Sequence, residues 1–366
     1  MEHGLHGGDI YGSEIIHDFS VNVNPLGLPE GVGQALRESV GGWWRYPDPQ
    51  CRGLVRKLAA YHHVAQERLV CGNGAADLLY RFAQMRKPRQ ALTPVPTFSE
   101  YERAVRAAGG ETRYYGLREG QGYRLDVDRL IGSLEGAEVL FLCNPNNPTG
   151  LALPKGQVEK LAKACGQKGV FLVLDECFCD FLQDPEEFSF LGNIGKYPGV
   201  MVLRAFTKTY AMAGLRLGYA VCGDPGLAQR LQQAGQPWSV SLPAQEAGVA
   251  ALDEKGYLAR TRELVERERG RLGEGLKRLG FKVFPSQVNF LLFQDNKGAY
   301  GDLWARCREG KILIRDCCNF PGLGPPGRAT GHKAGEGGPW KASGYYRICV
   351  RKEEENQYLL RWLAQL

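Results

Sequence analysis

The sequence predicts an α/β protein, a mostly parallel sheet flanked by helices, followed by a smaller α+β domain. Three observations carry this. Seven short apolar runs, from "RLVCG" to "LGYAVCG", alternate with stretches of helical period. Two of the runs, "VLFL" and "VFLVL", are apolar at every position, as strands covered by helices on both faces must be. After about Pro243 the rhythm changes to a long helical region and more widely spaced strands.

Element by element, a Gly-rich start and a polar, turn-rich arm fill residues 1–44, expected to serve the small domain and the active site. Residues 45–243 are expected to form the large domain. Its strands are "RLVCG", "QALTP", "ETRYYG", "EVLFLCNP", "VFLVLDE", "VMVLRAF" and "LGYAVCG". Helical spacing places helices between them over Ala75–Arg86, Ser99–Ala108, Pro154–Gln167 and Leu227–Ala234. Residues 244–366 are expected to form the small domain. A helical region over Ala244–Leu279, interrupted near Gly256, leads to strands in "FKVFPSQVNFLLF", "KILIRD" and "YYRICV", and Glu353–Leu366 reads as an amphipathic helix. A Gly/Pro-rich loop, 321–344, separates the last two strands and reads as a spacer or a lid.

Composition narrows the function. The 366 residues are 43% hydrophobic and 23% charged, ordinary for a globular enzyme, and the net charge of +6 comes from scattered basic residues rather than a dense run. A nucleic-acid partner is not expected; anionic small molecules suit the charge better. The 11 cysteines include no Cys-x-x-Cys pair, and Cys177/Cys179 and Cys317/Cys318, even with His332, lack the ligand number and spacing of a metal site. Buried reduced thiols in a cytoplasmic protein are expected. No run reaches the ~18–20 apolar residues of a membrane span, and "MEHGLHGGDIYGSE" has no signal-peptide core.

Several chemically capable residues fall at strand ends, where open α/β sheets bind ligands. In "CGNGAADLL", the helix start at Gly74, Ala75 and Ala76 can present backbone N–H groups to a phosphate, or it can be a plain turn. "LCNPNNPTG" holds three asparagines at the edge of a buried strand. Asp175 and Glu176 end another strand, where a carboxylate needs a cationic partner or a helix N-cap role. Lys208 sits between two threonines with Arg216 eight positions on. Burial and a nearby cation would make such an amine lose its proton readily.

Together "NPLG", "YPDP", "GNGAADLL", "PTFSEY", "NPNNPTG", "LDECF", "FTKTYAMAGLRLGY" and "YYRICV" span Asn24 to Val350. In that order they resemble the fold-type I pyridoxal-phosphate enzymes, in the branch with histidinol-phosphate aminotransferase. The resemblance implies that Lys208 links covalently to the cofactor aldehyde and that Asp175 faces its pyridine nitrogen. It implies that Asn147 bonds the phenolic oxygen, that Phe98 stacks on the ring, and that Gly74, Ala75, Ala76, Thr207 and Arg216 hold the phosphate. Tyr46 would reach that phosphate from the second subunit of a homodimer, and Arg347 would clamp the substrate α-carboxylate. Two positions depart from the pattern. Phe178 stands where the branch often has a tyrosine, and Ala205 where it often has Ser or Thr.

"HGGDIYG", "GQPWSVS" and "ILIRDCCNFPGL" are more similar to the threonine-phosphate decarboxylase family of cobalamin biosynthesis. The implied reaction converts L-threonine O-3-phosphate to (R)-1-aminopropan-2-yl phosphate with loss of CO2. Arg315 and Arg347 would then bind the carboxylate, and His6, Asn24 and Asn319 the phosphate end. The alternatives are histidinol-phosphate aminotransferase, a serine-phosphate decarboxylase, and a non-catalytic binding protein on the same fold.

Overall fold

The computed structural model describes residues 6–11, 14–323 and 344–366. Most of the Gly/Pro-rich loop expected at 321–344, including His332, lies outside the described residues. The arm carries a two-residue strand, β1 (His17–Asp18), and α1 (Glu30–Ser39), a helix that the turn-rich reading of this stretch did not anticipate.

The large domain then alternates as expected. α2 (Arg52–His62), β2 (Leu69–Gly72), α3 (Ala75–Arg86), β3 (Gln90–Val95) and α4 (Glu100–Ala107) come first. β4 (Glu111–Gly116), α5 (Val127–Gly132), β5 (Val139–Cys143), α6 (Lys155–Gln167) and β6 (Phe171–Asp175) follow. α7 (Pro185–Phe188), β7 (Val200–Ala205), α8 (Phe206–Thr209), β8 (Gly218–Cys222) and α9 (Pro225–Ala234) complete the run.

The seven strands form one sheet in the order β2-β8-β7-β6-β5-β3-β4. β4, β3, β5, β6 and β7 pair in parallel, while β8 runs against both β7 and β2. β5, β6 and β7 are buried along their whole length. Their alternate side chains feed two separate cores. Leu140, Leu142, Leu172, Leu174, Val200 and Val202 face one helical layer. Val139, Phe141, Val173, Met201 and Leu203 face the other. That is why the sequence shows uninterrupted apolar runs here and an alternating pattern at β4, the solvent-facing edge.

Helix α10 (Leu242–Ala251) packs on α1 and α2, and Val32, Ala244 and Ala247 share the core of the large sheet. The chain then turns at Gly256, in the left-handed region with φ +74, into the 22-residue α11 (Tyr257–Arg278). β9 (Lys282–Val283), β10 (Phe290–Gln294), α12 (Leu303–Glu309), β11 (Ile312–Leu313), β12 (Arg315–Asp316), β13 (Tyr345–Cys349) and α13 (Glu353–Leu363) follow. β12-β13-β10-β9 make an antiparallel sheet, and β1 of the arm pairs in parallel with β11. Leu272, Leu276, Phe293, Ile348, Leu359 and Leu363 join α11 and α13 to that sheet. Among the described residues, no helix is long and apolar enough to cross a membrane.

One close approach ties the sheet to the site. A Cβ at Gly218 of β8 would lie 2.4 Å from the Ala75 nitrogen and 2.7 Å from the Gly74 carbonyl carbon. Both are backbone atoms that cannot swing aside. Gly218→Ala is therefore expected to cost ~1–3 kcal/mol of stability, read as a shifted urea midpoint, and to weaken anion binding at the adjoining turn.

Candidate active site

The parallel strands all point their C-terminal ends at one edge, and the polar residues that follow them line a cavity of about 330 Å³. β5 delivers Asn147, β6 delivers Asp175, and β7 leads through Ala205 into α8 with Thr207 and Lys208. β2 enters a tight turn at Gly74, φ +82, from which α3 begins with Ala75 and Ala76 on the cavity wall. The small domain adds Arg315 and Arg347, and the arm adds His6, Ser20 and Asn22.

Lys208 is where the electrostatics concentrate. Burial lowers its amine, and the positive fields of Arg347 and Arg216 add to this, bringing it from 10.5 to about 8. Arg216 itself adopts a left-handed φ of 59 and donates to the Ala213 carbonyl at 3.1 Å. Its Nη2 would stand 2.7 Å from a Cβ at position 74, so only glycine lets the guanidinium settle against this turn. The free N–H groups of the first turn of α3 and Arg216 thus form a cationic cradle.

Asp175 meets hydrogen-bond donors rather than a cationic side chain. Its Oδ2 accepts from the Tyr101 hydroxyl at 2.7 Å and its Oδ1 from the Cys177 amide at 3.0 Å. Glu176 does take a cation. Arg204 reaches its Oε2 at 2.8 Å, Asp180 Oδ1 at 2.8 Å and Ser189 Oγ at 2.9 Å, all behind the cavity. Phe98 lies on the wall, edge-on to Tyr101 at 5.7 Å. Phe178 also faces the cavity and packs edge-on to Phe290 at 5.0 Å, in keeping with a position that offers no hydroxyl.

The two small-domain arginines are buried. Arg347 donates to Asn147 Oδ1 and, at 2.7 Å, to the Ser20 carbonyl. Its Nε has no hydrogen-bond partner among the described residues, and burial pulls its pKa down to about 10. Arg315 donates to Asn319 Oδ1 at 2.7 Å and lies over the Phe320 ring. His6 Nε2 stands 2.9 Å from Glu100 Oε1. Burial works to raise the Glu100 pKa, but hydrogen bonds from His6 and Tyr80 and the charges of His6 and Arg103 outweigh it and hold the group at about 2.

Three expected residues do not line this chain's own cavity; one of them, Tyr46, is expected to act from a second subunit. Asn24, expected at the substrate phosphate, does not line the cavity. Its Nδ2 donates to the Thr209 carbonyl and Thr261 Oγ1, both at 2.8 Å, and its Oδ1 accepts from the Leu26 amide at 2.9 Å. Two residues earlier, Asn22 does line the cavity, 3% exposed, with Oδ1 lacking any partner among the described residues. The sequence shows two asparagines in "NVNP", and only the packing separates the structural one from the one that faces the ligand. Asn319 is likewise not on the wall; it orients Arg315. Tyr46 is 77% exposed and stacks on Trp238 at 4.6 Å, outside this chain's own cavity. Tyr101, Glu100, Ser20 and Asn22 were not anticipated, although the first two lie within the quoted "PTFSEY".

A family model for aminotransferase class I and II matches residues 14–363. The chain belongs to that family. Within it, the chain is 35% identical to the threonine-phosphate decarboxylase of Salmonella typhimurium over 350 residues, covering 95% of this chain and 90% of the relative. The crystal structure of L-threonine-O-3-phosphate decarboxylase from Porphyromonas gingivalis superposes with a TM-score of 0.81 at 26% identity, covering 96% of this chain and 99% of that one. Histidinol-phosphate aminotransferase from Clostridium acetobutylicum gives 0.84 at 27% identity over 96% and 98%. The α/β fold-type I architecture expected from the sequence is thereby borne out.

Members of this aminotransferase family use pyridoxal 5'-phosphate, and the residues present fit it. An amine of lowered pKa, a hydrogen-bonded carboxylate, an aromatic wall and a cationic turn that a Cβ at 74 would obstruct share one cavity. Among the described residues, no cluster of His, Cys, Asp or Glu could hold a metal.

Asn24→Ala should lower stability by ~2 kcal/mol, since it leaves buried groups unpaired. Asn22→Ala should keep the melting temperature and raise KM for the phosphorylated substrate roughly tenfold. Covalent capture of pyridoxal phosphate, followed by its visible absorbance, should speed up as pH rises towards about 8 and level off above it. The reason is that the neutral amine is the reactive form. Lys208→Ala should give no covalent band at any pH.

Proposed function

We propose that the protein is a pyridoxal-phosphate-dependent decarboxylase of L-threonine O-3-phosphate, forming (R)-1-aminopropan-2-yl phosphate and CO2 in cobalamin biosynthesis. The observation that carries this reading is the cavity's surplus of groups for two anionic ends. Arg347, Arg315, Asn22 and His6 converge on the space next to Lys208, beyond what the cofactor's own phosphate cradle uses. The similarity to the Salmonella typhimurium decarboxylase over nearly the whole chain supports it.

When bound, the cofactor supplies an aldehyde for the substrate amine and a protonated ring that takes up the electrons left at Cα. The chain's residues do the rest. Lys208 would hold the aldehyde, and its amine lies in the same cavity as the substrate-gripping arginines, where it could return a proton to Cα. Asp175 would hold the ring nitrogen, Phe98 the ring face, and Asn147 the phenolic oxygen. Gly74, Ala75, Ala76, Thr207 and Arg216 hold the cofactor phosphate. Arg347, steadied by Asn147 and Ser20, and Arg315, steadied by Asn319, grip the carboxylate. Asn22 and His6 take the remote phosphate. Fixing both ends would hold the Cα–carboxylate bond in the orientation in which its cleavage is favoured.

The exposed aromatic patch of Trp43, Trp44, Tyr46 and Trp238 supports a homodimer in which Tyr46 reaches the partner's cofactor phosphate. All 11 cysteines are free, which supports a reducing, cytoplasmic setting.

CO2 release from L-threonine O-3-phosphate without an added keto acid tests the reaction. Turnover of histidinol phosphate that depends on 2-oxoglutarate would instead establish the aminotransferase. Arg347→Lys should lower kcat/KM by roughly a hundredfold, because one ammonium cannot replace the two-pronged guanidinium grip. Trp44→Asp should shift the protein from dimer to monomer in sedimentation and weaken cofactor retention.

A further inference from the structure

Tyr101 does not line the cavity, yet it touches two residues that do. It lies in the first turn of α4 and is 1% exposed. Its ring is parallel to Phe141 of β5, 5.6 Å away with 6° between the planes, so the sheet core sets the plane of the phenol. Its edge meets Phe98 at 82°. Held on both sides, the ring has one direction in which to aim its hydroxyl, and that direction ends on Asp175 Oδ2.

Asp175 is itself 8% exposed and has no ion-pair partner among the described residues. The Tyr101 hydroxyl and the Cys177 amide both donate to its side chain. A carboxylate oxygen can accept two hydrogen bonds, so Oδ2 can keep the phenol and still receive a ring N–H. Burial, and then the charge of Asp175, push the Tyr101 pKa well above the usual phenol range, so Tyr101 stays a donor throughout the working pH range.

We propose that Tyr101 is a positioning residue for the cofactor ring: its hydroxyl aims the Asp175 carboxylate and occupies one lone pair of Oδ2, so that the ring nitrogen keeps its proton. The proposal rests on Asp175 facing that nitrogen, as described above. Without the phenol, both lone pairs of Oδ2 are open to the ring proton, which is drawn towards Asp175 and leaves the ring a poorer acceptor for the electrons at Cα. Substrate binding, which depends on Arg347, Arg315 and Asn22, is untouched.

The test uses holoenzyme reconstituted with pyridoxal phosphate isotopically labelled at the ring nitrogen, read by nuclear magnetic resonance. In Tyr101→Phe, which keeps the ring packing, the resonance should move towards the neutral-pyridine position. In the same variant kcat should fall roughly tenfold while KM stays within about twofold. Fluorotyrosine at position 101, a stronger donor, should move the resonance the opposite way. Asp175→Asn is the reference. If it leaves the resonance in place, the assignment of Asp175 fails and takes this proposal with it. If Asp175→Asn moves the resonance but neither change at Tyr101 does, the proposal is overturned and the Asp175 assignment stands. Should Tyr101→Phe fail to fold, the fluorotyrosine protein decides alone, and an unmoved resonance overturns the proposal.

Discussion

An amine that must be neutral to react is brought towards that form by burial and by positive charge crowded around it. Arg216 reaches Lys208 from the same strand-turn unit, and Arg347 reaches it from the small domain. Each arginine needs its own support. Arg216 depends on the absence of a side chain at Gly74, and Arg347 on acceptors from Asn147 of the large domain and Ser20 of the arm. Three parts of the chain far apart in sequence are therefore joined by one guanidinium. The cationic field at Lys208 exists only when they are assembled.

A second layer holds the first in register. Arg204 bridges Glu176, next to Asp175, and Asp180, whose other oxygen accepts from Thr209, next to Lys208. Such buried ion pairs contribute little net stability, because desolvation offsets their attraction. What this one does is connect the end of β6 to α8, so that the carboxylate and the amine of the site share one rigid frame. Asn24 acts similarly. Its backbone N–H donates to the Lys208 carbonyl and its side chain to the Thr209 carbonyl, anchoring the arm beneath the reactive residue.

The fold was readable because its signals are local. Apolar runs at β5, β6 and β7 report burial on both faces, and turn residues mark where each strand stops. The helix α1 escaped because its glycines and its Pro29 start look like turn chemistry, and its stability comes from packing on α10, more than 200 positions away. At the site, Lys208, Asp175, Asn147 and Arg216 stood out because strand ends and quoted motifs place them. Asn22 and Asn24 could not be told apart, since both lie in one short extended segment and only their partners differ.

The sequence by itself determined the layered α/β architecture and the residues at the strand ends, because strand burial and chain reversal are written in neighbouring residues. Only the tertiary structure decided which polar side chains are spent on scaffolding and which face the ligand. Asn24, Asn319 and Arg204 are held by protein groups, whereas Asn22 keeps a buried oxygen unbonded in the cavity. That division depends on hydrogen-bond partners brought together by folding, and no local pattern encodes it.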